Sequence, residues 1–308
     1  MTAPEPPASG SRLLRPPVEA ALLMIFTCAC FSGMSAVIRD LSNDISPFQI
    51  AFFRNAIGLI FLLPLMWRLG FEIPRGSVLK AYGIRAGIGI CAMWVWYSAL
   101  SATPLAEAIT LNFTVALWMI PVAILLLGEK VGARRWGATL VGFCGVLIVM
   151  QPGSESVSLG SFLAILAALL FAISMALVRL LARTQRPIAI VFYMNVLMTP
   201  LSLGPAVAVW TTPDLTQLGW LIFIGLLANA AHFGMARALS LVEASSVIPL
   251  DFTRLPFAAA IGYFAFGEVP VVWIWPGAAL IVASAVYIAR REAKLQRSIT
   301  AAPSGAGE

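Results

Sequence analysis

Residues 109–129 read ITLNFTVALWMIPVAILLLGE, and residues 248–268 read IPLDFTRLPFAAAIGYFAFGE. At an offset of 139, the second stretch repeats the isoleucine and leucine that open the first, then its Phe-Thr, and finally its Gly-Glu. Single matches between apolar segments are common by chance, whereas an ordered series of matches is not. The two stretches therefore indicate an internal duplication, and they mark corresponding places in its halves.

Further matches extend the duplication toward the N-terminus, after one change of register. At an offset of 140, the matching residues are Phe31, Ala36 and Arg39 with Phe171, Ala176 and Arg179, and Pro47, Ile50, Phe52 and Asn55 with Pro187, Ile190, Phe192 and Asn195. The duplication therefore covers most of the chain.

The composition excludes a soluble globular enzyme. Of the 308 residues, 60% are apolar and 11% are charged, and there is one histidine. A soluble domain carries about 25% charged residues, so this chain has too few to cover a water-facing surface. The mean hydropathy of +0.91 is typical of a polytopic membrane protein.

Ten apolar runs are long enough to predict membrane spans, because a helix needs roughly 20 apolar residues to cross the hydrocarbon core. They are residues 18–38, 47–67, 80–100, 105–127, 133–150, 159–181, 187–210, 217–239, 244–266 and 271–289. Five spans fall in each repeat, and five is odd, so the second repeat enters the membrane from the opposite face. We predict an all-α polytopic membrane protein with ten transmembrane helices arranged as two inverted five-helix repeats.

The repeats leave little chain outside the membrane. We predict a leader over residues 1–17, a first repeat over 18–152, a second over 153–290 and a tail over 291–308. Neither the leader nor the tail is long enough for a domain of its own. Any function is therefore expected inside the helical bundle.

Basic residues predict the orientation. With the N-terminus inside, 16 of the 20 lysines and arginines fall in cytoplasmic segments, and Arg39 is the one in an outer segment. This bias predicts a protein of the cell (inner) membrane with both termini in the cytoplasm. The basic residues then face the anionic inner leaflet, so the net charge of +6 needs no nucleic-acid partner.

The motifs of common enzymes are absent from the sequence. It contains no HExxH, no phosphate loop with lysine, no nucleophile elbow and no His/Cys cluster. The four cysteines lie in apolar runs, where free buried thiols are expected. We therefore predict no enzymatic activity, no metal and no cofactor, with the lipid bilayer and a small-molecule substrate as partners. A homodimer is left open.

The sequence resembles a known family. Phe52-Phe53-Arg54 in span 2, Leu127-Gly128-Glu129 closing span 4 and Phe266-Gly267-Glu268 closing span 9 are similar to the drug/metabolite transporter superfamily, EamA type. The resemblance implies a ten-helix inverted-repeat transporter with a central cavity. It leaves the substrate open among amino acids, riboflavin, S-adenosylmethionine, nucleobase-like compounds and toxic cations. The stretch from His232 to Phe257 is similar to the metabolite-uptake branch.

Ionisable residues within spans are costly unless they face protein or water, so each is a candidate functional residue. Arg54 lies seven residues past Pro47, about 10 Å along the helix. It is either a cavity cation that binds an anionic group or a clamp between helices. Arg85 lies near the inner end of span 3, where we expect it to extend toward the cytoplasm.

Span 9 carries Asp251 and Arg254 three residues apart, which places them on one helix face. We expect them to pair at rest, with an exchange of partners during transport left open. His232 in span 8 lies at a similar depth to Asp251. A contact between these two would suit proton coupling, and the alternative is a histidine hydrogen-bonded between helices.

Three glutamates lie at span ends. Glu107 begins span 4, where it is either a helix-terminal acid or part of a gate. Glu129 and Glu268 end their helices, where the helix dipole disfavours acids. We therefore expect each to form a structural ion pair with the following basic loop or the neighbouring repeat.

Aromatic and amide residues offer further binding groups. Trp94 and Tyr97 share a face of span 3, which is either an interfacial aromatic belt or a stacking surface for a planar or cationic substrate. Asn112 and Trp118 in span 4 join them as candidate substrate contacts. Prolines within the spans, Pro121, Pro200, Pro249 and Pro256, are predicted bending points or static kinks.

The sequence thus predicts a secondary transporter that moves a small organic metabolite by alternating access. Its candidate substrates are riboflavin, S-adenosylmethionine or amino acids. The alternatives are a membrane-embedded enzyme or lipid-handling protein, which needs converging acids or metal ligands, and a passive channel, which needs rings of like residues.

Overall fold

The computed structural model describes residues 16–70, 73–128, 132–151, 158–182, 184–241 and 248–300, and within these ranges every regular element is helical. The helices are α1 (Pro16–Leu41), α2 (Pro47–Leu69), α3 (Gly76–Ala102), α4 (Leu105–Asn112), α5 (Val115–Leu127), α6 (Ala133–Met150), α7 (Leu159–Leu181), α8 (Pro187–Ala208), α9 (Leu215–Leu241), α10 (Arg254–Phe266) and α11 (Ile274–Thr300). A 3₁₀ segment, Ile248–Thr253, precedes α10. The all-helical prediction is confirmed.

The predicted ten spans correspond to these helices once two broken spans are joined. Span 4 is α4 followed by α5, and span 9 is the 3₁₀ segment followed by α10. Seven spans in the described part of the chain are long and apolar enough to cross a membrane, and shorter apolar helices cover 136–150 and 274–288. Span 9 falls short because α10 has only 13 residues.

Helix ends follow local sequence signals. Ser46 caps α2 by accepting a hydrogen bond from the Phe48 amide at 3.4 Å, and Pro47 occupies the first turn. Ser158 caps α7 in the same way through the Ser161 amide at 3.1 Å. Gly128 and Gly267 end α5 and α10 with φ of +66°, a left-handed conformation that glycine adopts at little cost.

The two broken spans bend at the same place in both repeats. Thr114 and Thr253 begin α5 and α10 with nearly equal backbone angles, φ/ψ of −62°/−10° and −64°/−10°. Their hydroxyls donate to the carbonyls of Leu111 at 2.6 Å and Leu250 at 2.7 Å. The breaks thus fall at the repeated Phe-Thr. Pro121 lies inside α5, so the break in span 4 does not fall at its proline.

Helix packing is nearly unchanged when the two repeats are exchanged. The most extensive contacts are α3 with α7 and α1 with α9, which the exchange converts into one another. Two more pairs, α2 with α8 and α6 with α11, are converted into themselves. This pattern is what an inverted duplication with a pseudo-twofold axis produces, and the predicted arrangement of repeats is confirmed.

Equivalent residues meet where the axis passes through the bundle. Phe113 and Phe252 occupy matching positions, and their rings contact edge to face with centroids 4.9 Å apart. Gly145 on α6 and Gly277 on α11 also face each other, because a Cβ on either glycine would lie within 2.8 Å of the other residue's carbonyl oxygen. Small residues at this crossing allow the two backbones to approach closely.

Candidate substrate site

Charged residues gather between α2, α3, α9 and the start of α10. Arg54 on α2 lies within electrostatic range of Arg85 and Tyr97 on α3 and of His232 on α9. His232 is also within range of Arg254. We call Arg54, Arg85, His232, Asp251 and Arg254 the central cluster. Four of these five residues come from the sequence-predicted site.

The predicted pairing of Asp251 with Arg254 is present. The Arg254 Nη2 atom lies 2.7 Å from the Asp251 Oδ1 atom across one helical turn. Cys28 on α1 also approaches this carboxylate, with its Sγ atom 3.8 Å from Oδ1. The equivalent positions in the first repeat hold Asn112 and Val115. The pair therefore belongs to the second repeat alone, and the site is asymmetric.

His232 does not contact Asp251 as the sequence suggested. Its Nδ1 atom lies 2.6 Å from the Ala228 carbonyl oxygen, and its ring packs edge to face on Phe31 with centroids 5.4 Å apart. The Arg254 guanidinium lies over the same Phe31 ring, 4.3 Å from its centroid. Helix α1 packs against both α9 and α10, and so places Phe31 between the histidine and the ion pair.

Arg85 differs from its predicted orientation. Its Nη1 atom occupies the space that a Cβ on Gly89 would fill, one turn further along α3, so the side chain extends into the bundle and away from the cytoplasmic end predicted for it. Both Nε and Nη1 are buried without a hydrogen-bond partner. The absence of a side chain at Gly89 provides the space that makes this inward orientation accessible.

Buried hydrogen-bond donors without partners recur among the predicted site residues. In the described part of the chain they include the Nε1 atoms of Trp94 and Trp118, the Nδ2 atom of Asn112 and the Nε atom of Arg254. A buried donor without an acceptor is costly. Such atoms are accordingly candidate contacts for a bound molecule that supplies acceptors.

The predicted aromatic residues do not form one surface. Trp94 packs edge to face on Phe48 of α2, with centroids 5.2 Å apart, whereas Tyr97 is buried in the core. Trp118 packs on Phe143 of α6, with centroids 5.0 Å apart. Tyr97 lies within electrostatic range of Arg54.

Polar contacts between the repeats close the end of the bundle at which α1 terminates, which we call the Arg39 end. Arg39 forms an ion pair with Glu268, so the predicted pairing of this glutamate with the neighbouring repeat is confirmed. Glu107, in the first turn of α4, accepts a hydrogen bond from the Ser161 hydroxyl of α7 at 2.6 Å. Glu129 lies outside the described residues.

A separate apolar groove of about 650 Å³ opens on the side of the bundle between α1, α9 and α10. Cys30, Gly33, Trp220, Leu227 and Ile261 are among its lining residues. None of the predicted substrate contacts lines it, so this groove is distinct from the central cluster.

Sequence reasoning missed Asn229. Its Nδ2 atom on α9 is buried without a hydrogen-bond partner, three residues before His232 and so on the same helix face. The signal was present, because an amide inside an apolar span has the same need for a partner as an ionisable group. The described residues contain no group of three or more His, Cys, Asp or Glu side chains placed to bind a metal ion.

These features define a multi-pass membrane transporter built from two inverted repeats around a polar interior. The EamA-like transporter family matches residues 19–151 and again residues 158–290. The chain belongs to this family, and it is a transporter of small metabolites within the drug/metabolite transporter superfamily.

Relatives agree with this assignment, and a solved structure has the same fold. A riboflavin transporter of Rhizobium johnstonii is 31% identical over 91% of this chain and 94% of its own length. An S-adenosylmethionine uptake transporter of Rickettsia bellii is 28% identical over 85% of this chain and 90% of its own. A crystal structure with 17% identity has the same fold, with a TM-score of 0.60 over 91% of this chain and 99% of that one.

Proposed function

We propose that this protein moves riboflavin, or a planar heteroaromatic metabolite of the same kind, across the cytoplasmic membrane by alternating access. In this proposal the repeats 18–152 and 153–290 rock against each other, and the leader and the tail lie in the cytoplasm. The Arg39 end then faces the outside. The protein acts as a carrier without chemical conversion of its substrate, and it needs no nucleic-acid partner.

The observation that carries the substrate class is the excess of unpaired donors inside the bundle. Trp94, Asn112, Trp118 and Asn229 each hold a buried N–H group without an acceptor. A flavin ring presents carbonyl oxygens and ring nitrogens that accept hydrogen bonds, and its planar face suits aromatic side chains. Binding such a ring would supply acceptors to those of these donors that it reaches.

Charge favours a flavin over S-adenosylmethionine, the substrate named for a second group of relatives. The central cluster holds the guanidinium groups of Arg54, Arg85 and Arg254 against the single carboxylate of Asp251. A sulfonium cation would be repelled by this excess of positive charge, because the interaction of like charges is strong where water is scarce. A neutral or anionic flavin avoids that repulsion.

Counterflow into proteoliposomes tests the proposal. Vesicles loaded with unlabelled riboflavin should accumulate labelled riboflavin from outside, because a carrier that alternates between two forms exchanges one molecule for another. Parallel vesicles loaded with S-adenosylmethionine or with an amino acid mixture should not accumulate it.

A matched control uses protein-free vesicles and a variant, Arg68→Gln, whose residue is exposed in the last turn of α2. This variant should behave like the parent protein. Flux that does not depend on internal riboflavin would indicate a channel. Counterflow of labelled S-adenosylmethionine by protein that shows no riboflavin counterflow would replace the flavin with that substrate.

A further inference from the structure

We propose that Arg54 and Arg85 form an anion site that binds a phosphate or carboxylate group of the transported metabolite. The preferred substrate is then a charged molecule, such as a phosphorylated flavin, in place of neutral riboflavin. This inference deepens the proposed function and rests on it for the flavin part of the ligand.

The first support is the placement of Arg85. Its guanidinium extends along α3 to Gly89, where Nε and Nη1 are buried and have no hydrogen-bond partner. An arginine that only anchors a helix end would reach headgroups or water. This arginine instead directs unsatisfied donors into the bundle.

The second support is the presence of two guanidinium groups that no carboxylate of the described residues neutralises. Arg54 and Arg85 are close enough to repel each other electrostatically. Arg54 donates a hydrogen bond to the neutral Asn55 side chain at 3.1 Å, and the acid of the central cluster, Asp251, is paired with Arg254. An anion between the two arginines would relieve this repulsion, and guanidinium groups bind phosphate and carboxylate through paired hydrogen bonds.

The groups near these two arginines do not supply a negative charge that would neutralise them. Tyr97 is on α3 itself, and His232 on α9 donates a hydrogen bond through Nδ1 to the Ala228 carbonyl oxygen. Within the described part of the chain, neither arginine has an ion-pair partner. A ligand anion is therefore the group that this arrangement lacks.

A substitution at Gly89 can displace the Arg85 side chain while the charge of the guanidinium is unchanged. A Cβ at position 89 would collide with the Arg85 Nη1 atom, so Gly89→Ala should move the guanidinium out of the site. Gly87, two residues earlier on the same helix, has open space at the corresponding position, and Gly87→Ala is the matched control. Arg85→Gln removes the charge, and Arg68→Gln is the control for loss of an exposed charge.

The experiment measures flavin binding to the purified full-length protein by quenching of flavin fluorescence. Riboflavin and riboflavin 5′-phosphate are compared at matched ionic strength. We expect the phosphorylated flavin to bind about tenfold more tightly to the parent protein, the effect of added charge-assisted hydrogen bonds. Arg85→Gln and Gly89→Ala should lose this preference, whereas Gly87→Ala and Arg68→Gln should keep it.

A second measurement separates the anion site from the identity of the substrate. Low millimolar inorganic phosphate should raise the Tm of the parent protein and of Arg68→Gln more than that of Arg85→Gln, at constant ionic strength. Equal binding of both flavins by the parent protein, without a phosphate effect on Tm, would overturn the anion site and leave the flavin proposal standing. A phosphate effect without binding of either flavin would overturn the flavin proposal and leave the anion site. Failure of both measurements would overturn both.

Discussion

Arg39 at the end of α1 forms an ion pair with Glu268 at the end of α10, and this contact joins the first repeat to the second. The contact is reinforced on both sides. Arg39 also donates to the Thr103 carbonyl at 2.8 Å, and the Glu268 carboxylate accepts from the Leu105 amide at 2.9 Å. Three chain segments, the ends of α1 and α10 and the connection between α3 and α4, therefore meet at this ion pair.

Removing this ion pair should destabilise the closed Arg39 end. Glu268→Gln and Arg39→Gln each leave a partly buried group without its charged partner, and a double-mutant cycle on thermal unfolding should give a coupling energy of about 1–3 kcal/mol. The exposed pair of Glu19 with Arg237, which also joins the two repeats, is the comparison. Its coupling should stay below about 1 kcal/mol. Equal coupling energies in the two pairs would contradict the prediction that the Arg39–Glu268 pair stabilises the fold more than an exposed ion pair does.

Arg54 should be essential for transport and dispensable for folding. Arg54→Ala removes a guanidinium that has a neutral hydrogen-bond partner and no ion pair, so the folded bundle loses little. We expect counterflow to be abolished while the variant elutes from size exclusion as the parent protein does. Arg68→Ala at the end of α2 should retain counterflow. Full activity of Arg54→Ala, or its loss from the membrane, would contradict a binding role.

The threonines at the two breaks should contribute equally to stability. Thr114→Val and Thr253→Val keep the shape of the side chain but remove the hydroxyl that donates to the carbonyl three residues earlier. Each should lower the free energy of unfolding by about 1 kcal/mol, because the variant loses one side-chain hydrogen bond. Serine at either position should restore most of the loss. Unchanged stability of both valine variants would show that the breaks are held by other contacts.

The crossing of α6 and α11 should not tolerate a methyl group. In Gly145→Ala and Gly277→Ala the new Cβ would meet the opposing carbonyl oxygen at 2.7 and 2.8 Å, which forces the helices apart. We expect a loss of about 1–3 kcal/mol in each variant, measured by thermal unfolding. Gly137 on α6 faces open space, so Gly137→Ala is the matched control and should be neutral. A neutral Gly145→Ala would indicate that this crossing is loosely packed.

Much of the fold was predictable because membrane helices and repeats leave strong patterns in sequence. The run of apolar residues located the spans, and the repeated Phe-Thr and Gly-Glu located corresponding points in the two halves. The sequence prediction places possible bends only at prolines, so it does not include the breaks at Thr114 and Thr253. A threonine hydroxyl bonded to a nearby carbonyl can end a helix without one.

The site was less predictable, because side-chain direction depends on neighbouring helices. The i,i+3 spacing was sufficient to pair Asp251 with Arg254, since both are on one element. A contact between His232 and Asp251 was predicted only from their similar depth in the membrane. In the structure, Phe31 of a third helix lies between His232 and the ion pair. The sequence predicts that Arg85 extends toward the cytoplasm. The space beside Gly89 instead allows its side chain to extend the opposite way along α3.

The contact between Phe113 and Phe252 has a consequence for any cycle in which the repeats trade conformations. Residues on a twofold axis keep the same mutual arrangement when the two halves exchange roles, so these rings can act as a pivot. A covalent tie between positions 113 and 252 is therefore compatible with both forms of the carrier. A covalent crosslink between positions 39 and 268, which lie at the Arg39 end, would hold the carrier in a single form.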